Sequence, residues 1–410
     1  MKSLKVFCFV TLVLLFTLGC KSSDSSSSGS SAGSVELLLL ANGTTSANRL
    51  DQAVGQASAT QLTSLKYFIR DIKICESLTV DGSGYSGQSG CLSLYSSSAT
   101  VDYDTYLADE ALADTANYID LMTAEGRSRL NSTVTLDASH ARSYQWGIID
   151  WYRPIKATAQ VTLNDGNILY TKAGTTVTES GSGLNSTYLT EVTGMATAPA
   201  EESIVVLSNG GSWFRFQSPF VISTDDINLG TSFELKLVFN PEGIIKGYTS
   251  STRTGLGIKD SGTQTVIHVP MLNLTPVAHA AGDQVMKESY LLKYTGAEIT
   301  PTNIRLELFY LESDSSKTIY GVEATYLYTT SSTDELGDFY KTSYITTATG
   351  GTIEFEDWSQ TAFLTNFTRL SAAGDTGTAT LKCSSSSGFG SCNSGTLNVT
   401  TELLSIGAVN

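Results

Sequence analysis

From residue 35 onward, apolar and polar residues tend to alternate with a period of two, the pattern of strands that cover one face. Val35-Glu-Leu-Leu-Leu-Leu40 reads as a buried strand. Leu65 to Ile74 ends in a clean alternation, but its apolar face switches near Phe68, which predicts a bulge or twist there. Arg142 to Asp150 places Tyr144, Trp146 and Ile148 on one face, and Lys156 to Leu163 alternates well. Further strands are predicted at Ser203–Leu207, Ser212–Phe216 and Ser232–Phe239, with hairpin turns at Asn164-Asp-Gly-Asn167 and Asn209-Gly-Gly211. Downstream, the same pattern predicts strands at Thr265–Leu272, Tyr290–Tyr294, Asn303–Leu311, Ile319–Thr329, Ser343–Thr347, Thr352–Phe355, Thr378–Cys383 and Thr396–Leu404.

One stretch departs from this period. Between Tyr103 and Leu130, the residues Tyr106, Leu107, Ala111, Leu112, Ala116, Ile119 and Met122 fall near helical spacing. Acids come early and Arg127 and Arg129 late, as the helix dipole favours. A short helical insertion is therefore predicted near 104–130. Composition shifts at 249–264, a Thr/Ser/Gly-rich stretch that is the best linker candidate. The expected fold is mainly β: two β-sandwich-like domains, 35–250 and 262–410, with no fixed-period repeat.

The start of the chain has another character. Lys2 and Lys5 precede an apolar run, Val6 to Leu18, interrupted only by Thr11 and Thr17. That run is too short for a permanent span and reads as a removed signal peptide, residues 1–19. Leu18-Gly19-Cys20 follows, then a Ser/Gly-rich segment to Ser34. The triplet resembles the lipobox of bacterial lipoproteins. The resemblance implies cleavage before Cys20, a diacylglyceryl group on its sulfur and acylation of its new amino group. Residues 20–34 would be a tether reaching about 20 Å. Lys21, where an Asp would favour inner-membrane retention, implies an outer-membrane destination.

Composition narrows the partners. The chain has 410 residues and a formal charge of −15, with 41% hydrophobic content, enough for real cores. Such an acidic chain is repelled by nucleic acid and by anionic lipid surfaces, so no nucleic-acid partner is expected. Of six cysteines, Cys8 leaves with the leader and Cys20 is lipidated. The remaining four, Cys75, Cys91, Cys383 and Cys392, form an even set in an oxidising compartment. Three pairings exist. Cys75–Cys91 and Cys383–Cys392 are favoured, because each closes a short Gly/Ser-rich segment. A four-thiolate metal site is disfavoured by the lack of Cys-x-x-Cys spacing.

Candidate chemistry is sparse. Gly84-Tyr-Ser-Gly-Gln88 fails the nucleophile-elbow pattern at its last position, and only His140, His268 and His279 offer a base. No His-Glu-x-x-His occurs, and His268, Met271 and His279 make only a weak copper set. The acids Asp102, Asp104, Asp109, Glu110 and Asp114 do not fit a calcium loop. Asp102-Tyr-Asp104 and Asp225-Asp226 are the weakest of carboxylate pairs. No metal or cofactor is expected. Among aromatic residues, Trp146 and Trp213 sit in alternating strands and read as core. Trp151, before Pro154, and Trp358, after Glu354-Phe-Glu-Asp357, read as candidate ligand contacts.

Asn117-Tyr-Ile-Asp-Leu121, the strand around Ser143–Trp151, Leu163-Asn-Asp-Gly-Asn-Ile-Leu169 and Phe233-Glu-Leu-Lys-Leu-Val-Phe-Asn240 together resemble the layout of uncharacterised bacterial lipoprotein domains. The likeness covers about 35–250 and implies sandwich strands but no activity. The expected function is a lipid-anchored envelope protein with a non-catalytic binding or structural role toward a protein or glycan. The alternative is an envelope hydrolase working through a carboxylate pair.

Overall fold

A computed structural model describes residues 32–42, 60–81, 84–98, 115–152, 154–162, 168–170, 176–180, 183–184, 202–206, 210–240, 245–248, 256–259, 264–267, 274–293, 303–328, 335–336, 338–342, 348–349, 352–357, 360–383 and 396–409. The chain is mainly β, as the alternation predicts.

A four-stranded central sheet runs in the order Leu274–Ala280, Ser232–Phe239, Ser34–Ala41, Ser132–Thr135. Its two middle strands are parallel, with Val35 opposite Phe233 and Leu39 opposite Leu237. Parallel neighbours are found where both faces are covered, and both faces here carry apolar residues. One face presents Val35, Leu37, Leu39, Leu235, Leu237, Phe239 and Leu274 to the largest core. The other presents Leu40, Val238 and Val277 to Val285, Phe309 and Leu311. Pro276 lies in the edge strand, where its missing N–H costs no ladder bond.

Across the larger core lies an outer sheet in the order Gly211–Val221, Ser143–Trp151, Ile69–Asp81, Gly84–Ser96. Phe214, Phe216, Ile72, Ile74, Leu92, Leu94 and Ile149 fill the core from this side. A third sheet, built on Thr60–Tyr67 and Pro154–Thr162, adds Leu65, Tyr67, Ile155 and Ala157. The face switch near Phe68 has a structural meaning. The chain leaves the third sheet at Tyr67 and enters the outer sheet at Ile69. The return strand changes sheet at Tyr152. Tyr152 N donates to Phe68 O at 3.0 Å, and their rings stand 4.3 Å apart, so the two corners pack on each other.

The C-terminal part is a nine-stranded antiparallel sheet among the described residues, running from Asp338–Thr342 through Val285–Lys293 to Ala348–Thr349. It curls around its own core, to which Tyr290, Leu306, Leu308, Val322, Ile353, Leu364, Leu381 and Leu403 contribute from both halves. A small four-stranded sheet joins Ile245–Tyr248, Leu256–Lys259, Gln264–Ile267 and Glu335–Leu336. Thus Leu256–Lys259, inside the stretch read as a linker, is a paired strand. Leu274–Ala280, beyond that stretch, joins the central sheet.

Helices are short. Ala124–Ser128 lies within the predicted insertion, capped by Thr123, whose hydroxyl accepts from Gly126 N at 3.0 Å. Residues 101–114 lie outside the described residues. A second helix among the described residues, Thr224–Leu229, lies outside the stretch where the sequence predicts one. Ser223 and Asp226 form its capping box, and Gly230 ends it at φ 70°.

Gly147 tests how closely a neighbouring strand's ring packs within the outer sheet, since Phe214 pairs with it in register. A Cβ there would lie 1.9 Å from the Phe214 ring, whereas a Cβ at Gly407 meets nothing within 4 Å. Gly147→Ala should lower stability to urea by about 1–3 kcal/mol because the ring must leave its place. Gly407→Ala should change it by no more than about 0.5 kcal/mol.

Candidate functional site

Two clusters of buried carboxylates stand out first. Register places Glu307 beside Glu323 on neighbouring strands of the C-terminal sheet. They are 1% and 2% exposed. Glu307 Oε2 accepts from Asn42 Nδ2 at 2.6 Å, and Oε1 accepts from Ser289 Oγ at 3.1 Å. Lys287 Nζ lies 3.0 Å and Arg305 Nε 3.8 Å from Glu307 Oε1. Glu323 Oε2 accepts from Asn240 Nδ2 at 2.7 Å and Asn42 Nδ2 at 3.2 Å. Its Oε1 accepts from Thr275 Oγ1 at 2.7 Å. Asn42, Asn240 and Thr275 all belong to ends of central-sheet strands. The cluster therefore fastens one sheet to the other. Burial alone would raise the Glu307 carboxyl, but Arg305 and then Lys287 hold it down to about 2.

Glu288 makes a second lock on the opposite face. It is fully buried and accepts from Tyr290 Oη at 2.9 Å, Lys317 Nζ at 3.0 Å and Arg369 Nε at 2.8 Å. Lys317 and Arg369 also lie over the Tyr310 ring. Both clusters consist of satisfied, buried acids and answer to stability rather than to substrate.

The outward face of the outer sheet is different. The face along Ser143–Trp151 changes between Tyr144 and Gly147. Tyr144 belongs to the main core, while Trp146 and Ile148 join a small cluster on the other side with Cys75, Leu78 and Trp213. This corrects two expectations. Trp151 is 2% exposed and packs edge-on against Tyr67 at 5.4 Å, so it is a core residue and no ligand contact. Pro154 begins the next strand rather than freeing the ring. Trp146 instead faces outward and is half-buried. Its ring meets Trp213 edge-on at 5.5 Å, and the Arg215 guanidinium lies over it, 5.2 Å from the centroid.

The hairpin Ile69–Asp81 and Gly84–Ser96 reaches over part of this face. The Gly/Ser-rich segment lies in a pair of long strands, bonded across by the Cys75–Cys91 disulfide. Closing this loop contributes about 3 kcal/mol. Near its tip, Tyr85 donates a hydrogen bond to Asp150 and packs in the cluster with Trp213. The hairpin leaves Trp146 and Arg215 beside its middle, where Cys75 pairs with Trp146 and Trp146 with Arg215.

Asp150 is half-buried, and burial raises its carboxyl above the usual range although Tyr85, Lys73 and Arg70 oppose this. Tyr85 is pushed up by burial and by Asp150. Asp71, opposite Asp150 in register, accepts from Ser93 at 2.8 Å and Ser96 at 3.1 Å and pairs with Lys73 at 2.5 Å.

Other candidates resolve simply. Asp226 is the helix-capping acid described above, and His140 caps a turn by accepting from Asp137 N at 3.0 Å. His279 is 7% exposed in the central sheet. Ser86 lies in the hairpin strand. Cys20, Cys392, Trp358, His268, Met271 and the acids at 102–114 lie outside the described residues, as does any Cys383–Cys392 bond. No protein-family model matches the chain, and comparison with curated proteins and solved structures finds no similar one.

Glu307→Gln should cost about 3–5 kcal/mol at pH 7, because Lys287 and Arg305 stay buried beside a neutral amide. A carboxyl depressed in the folded state stabilises fully above its unfolded range near 4.5 and loses that effect as pH falls through about 2. Urea titrations from pH 6 to pH 2 should show a slope over that window in the parent and a flatter profile in Glu307→Gln.

Proposed function

We propose that the protein is a lipid-anchored component of a bacterial cell envelope that binds a glycan or protein partner without catalysing a reaction. Acylated Cys20 would hold it to the membrane, with the outer membrane favoured by Lys21, and the Ser/Gly-rich segment would stand the body clear of the lipid. The supporting observation is the half-buried Trp146 with Arg215 on its ring. Both are mounted on paired strands beside a disulfide rather than on a mobile loop. A ring held in this way gives apolar contact area at little entropic cost.

A second reading, an envelope hydrolase, is favoured by one observation. Asp71 and Asp150 are cross-strand neighbours in different environments, one hydrogen-bonded by serines and the other shielded by burial. The two readings separate in Asp150→Asn. A binder keeps its affinity in that variant, whereas a hydrolase loses all turnover of envelope glycans.

Trp146→Ala in the lipidated protein, held in detergent micelles, should lose about tenfold or more of its binding to a glycan panel or envelope extract. Unchanged binding would remove the platform. Cys20→Ser should move the protein from the detergent phase to the aqueous phase in a phase-separation assay. Retention in the detergent phase with an attached lipid would refute the anchor.

A further inference from the structure

The ligand's charge can be read from Arg215, an inference that rests on the binding reading above. Acids outnumber bases in this chain, 40 to 25. Most described cations on strands are accordingly claimed by carboxylates: Lys66 by Glu202, Lys73 by Asp71 and Lys287 by Glu307. Arg142, near the middle of the hairpin, is claimed by Glu76 at 2.6 Å. Arg215 is not. Among the described residues, its partner is the ring of Trp146, with the guanidinium carbon 5.2 Å from the ring centroid, and no carboxylate pairs with it.

A ring-stacked guanidinium is already oriented, so less rotamer freedom is lost when a planar, two-oxygen anion meets its fork. Ring contact and fork together fit a ring-shaped ligand that carries a carboxylate. The count of charges is set by the rest of the molecule. A net charge of −15 repels a polyanion, while one carboxylate placed at Arg215 meets a local cation.

We propose that Trp146 and Arg215 recognise a sugar ring bearing a single carboxylate, with Arg215 binding the carboxylate and the exposed part of Trp146 packing on the ring's C–H surface. Glycans that lack the acid would bind through the ring alone. Glycans with many acids would be held less tightly per site than those with one.

The test uses the full-length protein and two matched pairs of probes: sialyllactose with its methyl ester, and a glucuronate-terminated disaccharide with its methyl ester. Affinities are read by calorimetry at two salt concentrations. The parent should bind at least one acid about tenfold or more tightly than its ester. Arg215→Gln should bring that acid down to the affinity of its ester. Arg215→Lys should keep part of the preference. Thermal melts establish that each variant is folded.

Equal affinity for acid and ester in both pairs, or a preference that survives in Arg215→Gln, overturns the inference while leaving the platform intact. The same holds if neither acid binds the parent, since the panel and extract described above test the platform on their own. Loss of acid and ester together in Trp146→Ala supports the shared site. Unchanged binding of every probe in Trp146→Ala defeats the platform reading itself.

Discussion

The structure depends on the need to cover both faces of one small sheet. Ser34–Ala41 and Ser232–Phe239 lie parallel at its centre, and apolar residues project from each side. The face with Leu37 and Leu235 is met by the outer and third sheets. The face with Leu40 and Val238 is met by the C-terminal sheet. At about 25 cal/mol per Å² of buried apolar surface, leaving either face open would forfeit several kcal/mol, comparable to the whole margin of stability. The layered arrangement follows from that requirement.

Polar groups make the second contact specific. Apolar packing alone would let the C-terminal sheet slide, since the hydrophobic effect has no direction. Asn42, Asn240 and Thr275 reach from three strand ends to the oxygens of Glu307 and Glu323. Each oxygen has its own donor, so a shift of a few ångströms would leave charge buried and unmatched. The face that carries Trp146 and Arg215 lies on the far side of the outer sheet, away from this junction. Its rings are held by the disulfide-bonded hairpin and by a core that is already closed.

Much of the fold could be read from alternation, because one-sided burial writes a period of two into each strand. The switch near Phe68 was visible because the apolar residues themselves change face at a sheet corner. Pro154 makes Trp151 read as exposed although it is buried, and alternation makes Trp146 read as core although it faces outward. Strict alternation from Tyr144 puts Trp146 inside, but the face changes before Gly147. Gly147 was the available sign, since a glycine within a strand often marks close approach by another group. The buried acids were not legible. Arg305 and Glu307 alternate with apolar neighbours as solvent-facing residues do, and Asn42, which ties Glu307 to the central sheet, comes from the far end of the chain. The short capped helix at Thr224–Leu229 has too few residues for a periodic signal, although Ser223, Asp226 and Gly230 mark its ends.

The coupling of the central sheet to both layers is tested most directly by native-state hydrogen exchange under increasing denaturant. Amides of 34–41, 232–239, 285–293 and 303–311 should open together, at the free energy of global unfolding. If 285–293 and 303–311 open at a clearly lower free energy while 34–41 stays protected, the C-terminal sheet is an independent unit and the central sheet does not depend on it.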